Sequence, residues 1–243
     1  MRIQSVRGTT SLTLATLLLA ASAVAAPVAA ANQLSTDSGR FAATAAAVKP
    51  VCQDRAFSFI GGRWAHAVHW TFDSATTPAG MTVAAAEAAL VRSFNNITTE
   101  HNDCGRPDKV DATNVYDGRA ARAPNINKFA QCKGSDGKNT VGFGRLPAGA
   151  LAVTCTRVIS GFMVEADIRI STRINWAATP AECSNEELIE PTVTHEVGHV
   201  FGLGHIGERR HPLMTMSTGS DGPCNNEAST LGLGDMLGLE VLY

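Results

Sequence analysis

Three histidines and one glutamate in the last third of the chain have the types and spacing of a metal site. His195 and His199 are four residues apart, so a helix would place both imidazoles on one face, within reach of one ion. Glu196 would lie about 100° around such a helix, beside the ion, where a general base for an activated water belongs. Gly202 can leave the helix with a positive φ and deliver His205 as a third nitrogen ligand. Three protein ligands leave one position open, which favours a catalytic zinc site over a closed structural one.

The same segment resembles the active-site signature of the metzincin metalloproteases. Their pattern is H-E-x-x-H-x-x-G-x-x-H, and every fixed position is filled between His195 and His205. Metzincins also carry a methionine-containing turn beneath the metal, and Met214 follows at a suitable distance, with Met216 as the alternative. A chance histidine pair on a core helix is the competing interpretation. It is disfavoured by the glutamate, the glycine and the third histidine in register.

The resemblance implies a zinc-dependent endopeptidase with one catalytic zinc ion. His195, His199 and His205 would hold the ion, and Glu196 would take a proton from the attacking water and pass it to the leaving amine. Two alternatives remain open. The chain could be a secreted zinc-containing binding module without turnover, although its ligands and base are all in place, or a hydrolase of a non-protein amide.

The element that must carry the site is a helix from about Pro191 to Gly202. Proline suits the first turn of a helix, and the residue before a proline is biased away from helical geometry. Glu190 is therefore predicted to stand outside the helix. We expect apolar residues of the helix, Val193, Val197 and Val200, to pack on the core.

Further elements precede and follow this helix. Alternation of Val68, Trp70 and Phe72 predicts a strand over 67–72, and Thr82 is a candidate N-cap for a helix over about 83–96. In a strand over 162–170, alternation predicts one core face with Val164, Ala166, Ile168 and Ile170, and one polar face with Glu165, Asp167 and Arg169. The other predicted strands are 114–116, 141–143 and 151–157.

This order of elements resembles the matrixin branch of the metzincins. The resemblance implies an α+β fold with a twisted mixed sheet of about five strands, about three helices, and a zinc cleft below an antiparallel edge strand. The segment 149–152 resembles that edge strand, which pairs with an extended peptide substrate. Asp235 resembles the aspartate that starts the C-terminal helix and hydrogen-bonds under the active site, with a plain helix cap as the alternative.

The N-terminal part of the chain predicts export. Residues 1–31 have two arginines, an apolar run and small residues, which is typical of a signal peptide; a membrane anchor is the alternative. Residues 32–50 are predicted to be a flexible tail or a short propeptide remnant, and 51–243 the matrixin-like catalytic domain. Asn96-Ile97-Thr98 fits a glycosylation sequon, and its use depends on the host organism.

Charge and composition limit the partners. The formal net charge is −2 and no basic block is present, so nothing favours nucleic acid. No stretch beyond the N-terminal one is apolar for long enough to span a bilayer. We expect a secreted monomer that acts on a protein or peptide bound in extended form.

Six cysteines in an exported chain predict three disulfides, and six cysteines can pair in 15 ways. Sequential pairing is our hypothesis: Cys52 with Cys104, Cys132 with Cys155, and Cys183 with Cys224. Cys104 and its neighbours also resemble the cysteine switch of matrix metalloprotease propeptides. That role is disfavoured, because the segment follows the first strand and helix and a free Cys104 would leave an odd number of cysteines.

A second metal site is not predicted. Val153 stands where matrix metalloproteases often carry a ligand for a structural zinc, and no loop pattern supports Ca²⁺, although Asp-rich loops keep it possible. His66 and His69 are three residues apart on a predicted strand and would face opposite sides. A joint chelate by these two histidines is therefore disfavoured.

Overall fold

The computed structural model describes residues 48–219 and 222–243. The predicted signal peptide and nearly all of the predicted tail lie outside the described residues, so both stay predictions. Within the described residues, no helix is both long and apolar enough to cross a bilayer.

The central element is a five-stranded mixed sheet, as the sequence predicted. Its order is β2-β1-β3-β5-β4, with parallel pairing throughout except for the last strand, which runs antiparallel to its neighbour at the edge. A pair of two-residue strands, β6 and β7, lies apart from this sheet. The strands are β1 Val68–Asp73, β2 Asn114–Arg119, β3 Thr140–Gly144, β4 Ala152–Ile159, β5 Phe162–Ser171, β6 Trp176–Ala177 and β7 Glu187–Leu188.

Among the described residues, three α-helices complete the α+β fold: α1 Val83–Thr98, α2 Ile189–Val200 and α3 Leu233–Leu242. Helix α1 begins where predicted, because the Thr82 hydroxyl accepts a hydrogen bond from the main-chain N–H of Ala85 at 3.1 Å. Its apolar face packs on the sheet, where Phe94 stacks on Trp70 with ring centroids 4.0 Å apart. Both rings are buried, so this contact anchors α1 to β1.

Helix α2 begins two residues before Pro191, so the predicted start and the exclusion of Glu190 were wrong. The Glu190 carboxylate accepts hydrogen bonds from Arg92 at 2.5 Å and from Asn96 at 3.1 Å, both on α1. These long-range contacts outweigh the local bias of a residue before proline. Pro191 is tolerated because the first N–H groups of a helix have no partner within it.

The asparagine of the sequon, Asn96, is buried in the folded chain. Asn96 is 6% exposed, and its amide nitrogen donates to Glu190 and to the Thr194 hydroxyl, each at 3.1 Å. The amide that would carry a glycan instead ties α1 to α2. Glycosylation of folded protein at this position is therefore excluded by burial.

The polar face of β5 is buried, and one residue assigned to its core face is not. Glu165 and Asp167 are 4% and 3% exposed, whereas Val164 is 43% exposed. The segment between β2 and β3 covers the acidic residues, and Glu165 accepts hydrogen bonds from the Ser135 hydroxyl and from the Gly137 N–H. Alternation of residue types along one strand does not reveal that a distant segment buries its polar face.

Because Asp167 is buried, we predict that the unfolding free energy depends on pH. Burial, with help from nearby Glu165 and Asp136, raises the pKa of Asp167 to about 7, above the roughly 3.9 of an unfolded aspartate. The folded chain then binds the extra proton, so this group's contribution to stability falls as the pH rises from about 4 to about 7. Relative to Asp167→Asn, the wild type should lose at most about 1.4 kcal/mol of unfolding free energy per pH unit in this window.

Urea unfolding of both proteins at several pH values measures this difference. The exposed Asp111→Asn substitution is the matched control for loss of a carboxylate, and its unfolding free energy should stay within about 0.5 kcal/mol of wild type. A flat difference for Asp167→Asn would show that the buried carboxyl does not take up a proton on folding.

All three predicted disulfides are present with the predicted sequential pairing: Cys52–Cys104, Cys132–Cys155 and Cys183–Cys224. Cys104 is therefore not a free thiol, which rules out a cysteine switch in this state. The Cys132–Cys155 bond ties the covering segment to β4. The Cys183–Cys224 bond joins the approach to β7 and α2 to the segment before α3.

Candidate metal centre and cleft

The three predicted histidines converge. Helix α2 presents His195 and His199 on one face, with ring centroids 4.8 Å apart. The Nε2 atom of His205 lies 3.0 Å from the Nε2 atoms of both other rings. Three ring nitrogens thus point at one common position, and these residues form a possible metal-ligand group within the described part of the chain.

His205 reaches this position because the chain turns sharply after α2. Gly202 has φ +99°, a conformation that residues with a Cβ rarely adopt. The returning loop is clamped by an upstream segment: the Gly204 N–H donates to the Ser58 carbonyl at 2.7 Å, and the Ile60 N–H donates to the Gly202 carbonyl at 3.0 Å. The Gly202 turn follows from the sequence pattern, but the role of residues 58–60 does not.

Main-chain carbonyls orient two of the rings. Nδ1 of His195 lies 2.7 Å from the Thr215 carbonyl, and Nδ1 of His199 lies 2.8 Å from the Leu203 carbonyl. A carbonyl only accepts, so both Nδ1 atoms carry the hydrogen and both Nε2 atoms keep a lone pair. Burial also lowers the pKa of His195 and of His199 to about 4, which keeps both rings neutral at pH 7.

This donor set fits zinc. Imidazole nitrogens suit Zn²⁺, whereas Ca²⁺ and Mg²⁺ prefer oxygen ligands. Carbonyl partners on the far side of metal-binding imidazoles are typical of such sites. The other group with metal-ligand spacing contains Cys183 and Cys224, whose sulfurs are consumed in a disulfide.

Glu196 lies in the same cleft and is buried. Its side chain is part of the lining formed with the three histidines, and the residue is 7% exposed. Burial raises the pKa of Glu196 above its ordinary value, while the neighbouring His199 works in the opposite direction. A hydrogen bond from the Thr154 hydroxyl on β4 reaches the carboxylate oxygen Oε2 at 2.5 Å.

The turn beneath the histidines is held by Asp235. Its carboxylate accepts hydrogen bonds from the N–H groups of Thr215 and Gly232 at 3.0 Å and of Met216 at 3.3 Å. Gly232 is the N-cap of α3, so Asp235 serves both as a helix cap and as a support under the site. Since the Thr215 carbonyl orients His195, Asp235 is connected to a ligand through the main chain.

Both candidate methionines of this turn are buried, and they occupy different places. Met214, chosen as the methionine of this turn, is among the residues that line the cleft and also lies against Gly232. Met216 fills the space against Gly198, which lies on α2 between the two helical histidines. A side chain at position 198 would overlap the Met216 sulfur and would have to displace it from this packing.

The cleft follows the outer side of β4. It has a volume of about 400 Å³, with residues 149–154 on one side and α2 on the other. Thr192, Asn225 and Ala228 also line it. Since β4 is the edge strand of the five-stranded sheet, its outer side is open to an additional strand.

The other positions considered as metal ligands are not part of the three-histidine group. His69 pairs with Asp117 at 2.9 Å, and His66 precedes β1, so the two histidines do not form a joint chelate. Val153 lies opposite Arg169 in the β4–β5 pair.

Comparison with known proteins adds no family assignment. The chain matches no protein-family model and none of the curated proteins. Its function is therefore argued from the geometry of the cleft.

Proposed function

We propose that the chain is a zinc-dependent endopeptidase of matrixin-like metzincin type. His195, His199 and His205 hold the ion, and Glu196 is the general base. The observation that carries the proposal is the convergence of three Nε2 atoms beside a buried carboxylate in a cleft along a sheet edge.

The chemistry divides between the ion and the protein. When bound, zinc supplies Lewis-acid polarisation of a carbonyl and lowers the pKa of a coordinated water to about 7. Glu196 takes the proton of the attacking water and transfers it to the leaving amine. Its raised pKa suits this exchange, because a base that must also return a proton works best with a pKa closer to neutral.

The substrate is a peptide in extended form. It lies beside residues 149–154 and adds a strand to the sheet through main-chain hydrogen bonds. The part of the cleft that Thr192 and Asn225 line receives a side chain next to the scissile bond. An extended backbone in this position passes directly between β4 and the histidines.

The compartment is extracellular. Three disulfides support an oxidising environment, since such bonds are rare in reducing cytosol. The Cys183–Cys224 bond joins segments on both sides of α2, which suits an enzyme that acts on proteins outside the cell. We propose a secreted monomer.

Metal removal tests the proposed function. Purified protein should bind one zinc ion and cleave members of a mixed peptide library at defined bonds. A chelator should abolish cleavage, because the polarising ion is lost, and added Zn²⁺ should restore it. Metal content by mass spectrometry and cleavage products by liquid chromatography measure the two results.

Two outcomes contradict the proposal in different ways. A zinc-loaded chain that cleaves no peptide is a binding module or a hydrolase of another amide. A chain that cleaves peptides equally well in chelator is a protease of another class.

A further inference from the structure

A threonine on the edge strand is directly bonded to the glutamate of the cleft. Thr154 lies on β4, lines the cleft and is partly buried. Its hydroxyl is 2.5 Å from Oε2 of Glu196 and 3.2 Å from the main-chain carbonyl oxygen of the same residue. The two residues are 42 positions apart in sequence, so this contact is made only in the folded chain.

This hydroxyl fixes one oxygen of the carboxylate. Within 48–219 and 222–243, no other hydrogen bond reaches the Glu196 carboxylate, although the residue is almost fully buried. A glutamate side chain has three rotatable bonds, and a buried polar group without a partner is costly. A bond to Oε2 therefore restricts the rotamer and leaves Oε1 as the oxygen available for proton transfer.

We propose that Thr154 is the positioning residue of the reaction, holding Oε2 of Glu196 so that Oε1 is presented to the water and the leaving amine. This inference rests on the proposed function, because it assigns a role within the same site. It adds a residue on the substrate-binding strand to the histidines and glutamate of α2.

The Thr154 hydroxyl keeps an acceptor throughout proton transfer. A hydroxyl has one hydrogen to donate and can also accept. It donates to Oε2 while the carboxylate is ionised. After Oε1 gains a proton, Oε2 is the carbonyl oxygen of the acid and still accepts from the hydroxyl, and the Glu196 main-chain carbonyl, 3.2 Å away, is a second acceptor within reach. A side chain of the same shape without the hydroxyl offers neither bond.

A purely structural role is the alternative. The same contact joins β4 to α2, so Thr154 could only fasten the strand to the helix. Such a fastener would change stability, substrate affinity and zinc affinity together. A positioning residue changes the chemical step and leaves substrate and zinc binding in place.

Three variants separate these roles. Thr154→Val keeps the β-branched shape and removes the hydroxyl, and Thr154→Ser keeps the hydroxyl and removes the methyl group. Thr156→Val is the matched control, because it makes the same change two residues further along β4, at a position outside the cleft lining. The zinc-loaded proteins are compared on a peptide that the wild type cleaves.

We expect kcat of Thr154→Val to fall about 10- to 100-fold, the usual effect of losing a supporting partner, with KM and zinc affinity within about threefold of wild type. Thr154→Ser should recover most of the lost rate, and Thr156→Val should match wild type. Crystal structures of the Thr154→Val and Thr154→Ser proteins give a readout besides activity. The Glu196 carboxylate should leave its present rotamer in the valine variant and keep it in the serine variant.

Unchanged kcat in Thr154→Val overturns the inference, as does an unchanged Glu196 rotamer, or a serine variant as impaired as the valine one. If the valine protein does not fold by circular dichroism, Thr154→Ala replaces it in the same comparison. If wild type cleaves no peptide, the proposed function fails on its own, and the rotamer comparison still decides whether Thr154 positions Glu196.

Discussion

Replacing Glu196 by glutamine is expected to reduce peptide cleavage by about 10²- to 10⁴-fold, which is the contribution typical of a general base. Glutamine has nearly the same size as glutamate, and its amide oxygen can still accept from the Thr154 hydroxyl. It has no oxygen that can take a proton from water. The three histidines are unchanged, so zinc affinity should stay within about threefold of wild type.

Steady-state cleavage of a wild-type substrate and zinc titration measure these two quantities on the same preparation. Glu182→Gln makes the same chemical change at an exposed position outside the cleft lining and should behave like wild type. Residual activity above about one tenth of wild type is incompatible with a general base at this position. Loss of zinc from the glutamine variant would instead mean that Glu196 helps to hold the metal.

The site is predictable from sequence where it depends on short spacing. On a helix, a spacing of four residues brings His195 and His199 together, and this does not depend on the rest of the fold. Gly202 permits the turn that returns His205, and its φ of +99° is the conformation that glycine allows. Period and capping likewise predicted β1 and the start of α1.

Contacts between distant segments set the remaining features. Glu190 was predicted to stand outside α2, but Arg92 is 98 residues away and holds it in the first turn. The buried acids of β5 are covered by a segment that no periodicity places there. The clamp at residues 58–60 and the Thr154 contact are further examples, since neither has a local sequence signal.

The number of disulfides was predictable from the sequence, but their pairing depends on the fold. An even number of cysteines predicted three bonds, while the pairing was one hypothesis among 15 possibilities. The fold brings Cys132 and Cys155 together by laying the segment before β3 across β4, with their Cα atoms 5.6 Å apart. Topology, and not cysteine spacing, therefore determines the pairing.

Removal of the Asp235 carboxylate should weaken both the fold and the metal site. Asp235 is 1% exposed, and Asp235→Ala would leave the N–H groups of Thr215, Met216 and Gly232 buried without their acceptor. Each orphaned donor costs about 1–3 kcal/mol, so the three together should remove at least about 3 kcal/mol from the unfolding free energy of the metal-free protein. Because the released turn carries the carbonyl that orients His195, zinc affinity should fall about 10- to 100-fold.

The pH dependence of the loss in unfolding free energy separates the contribution of the Asp235 carboxyl group from that of the packing around it. Burial raises the pKa of Asp235 to about 6, above the roughly 3.9 of the unfolded chain, so the wild type loses part of its advantage over Asp235→Ala as the pH rises from about 4 to about 6. Asp235→Asn keeps the shape and one acceptor oxygen, so its unfolding free energy should lie between those of the wild type and Asp235→Ala.

The control is Glu240→Ala, which removes a partly exposed carboxylate from the last turn of the same helix. There its ion pairs with Arg106 and Lys109 contribute at most about 1 kcal/mol. If Asp235→Ala destabilises the fold but leaves zinc affinity unchanged, the Thr215 carbonyl keeps its place without Asp235, and the aspartate is a helix cap alone.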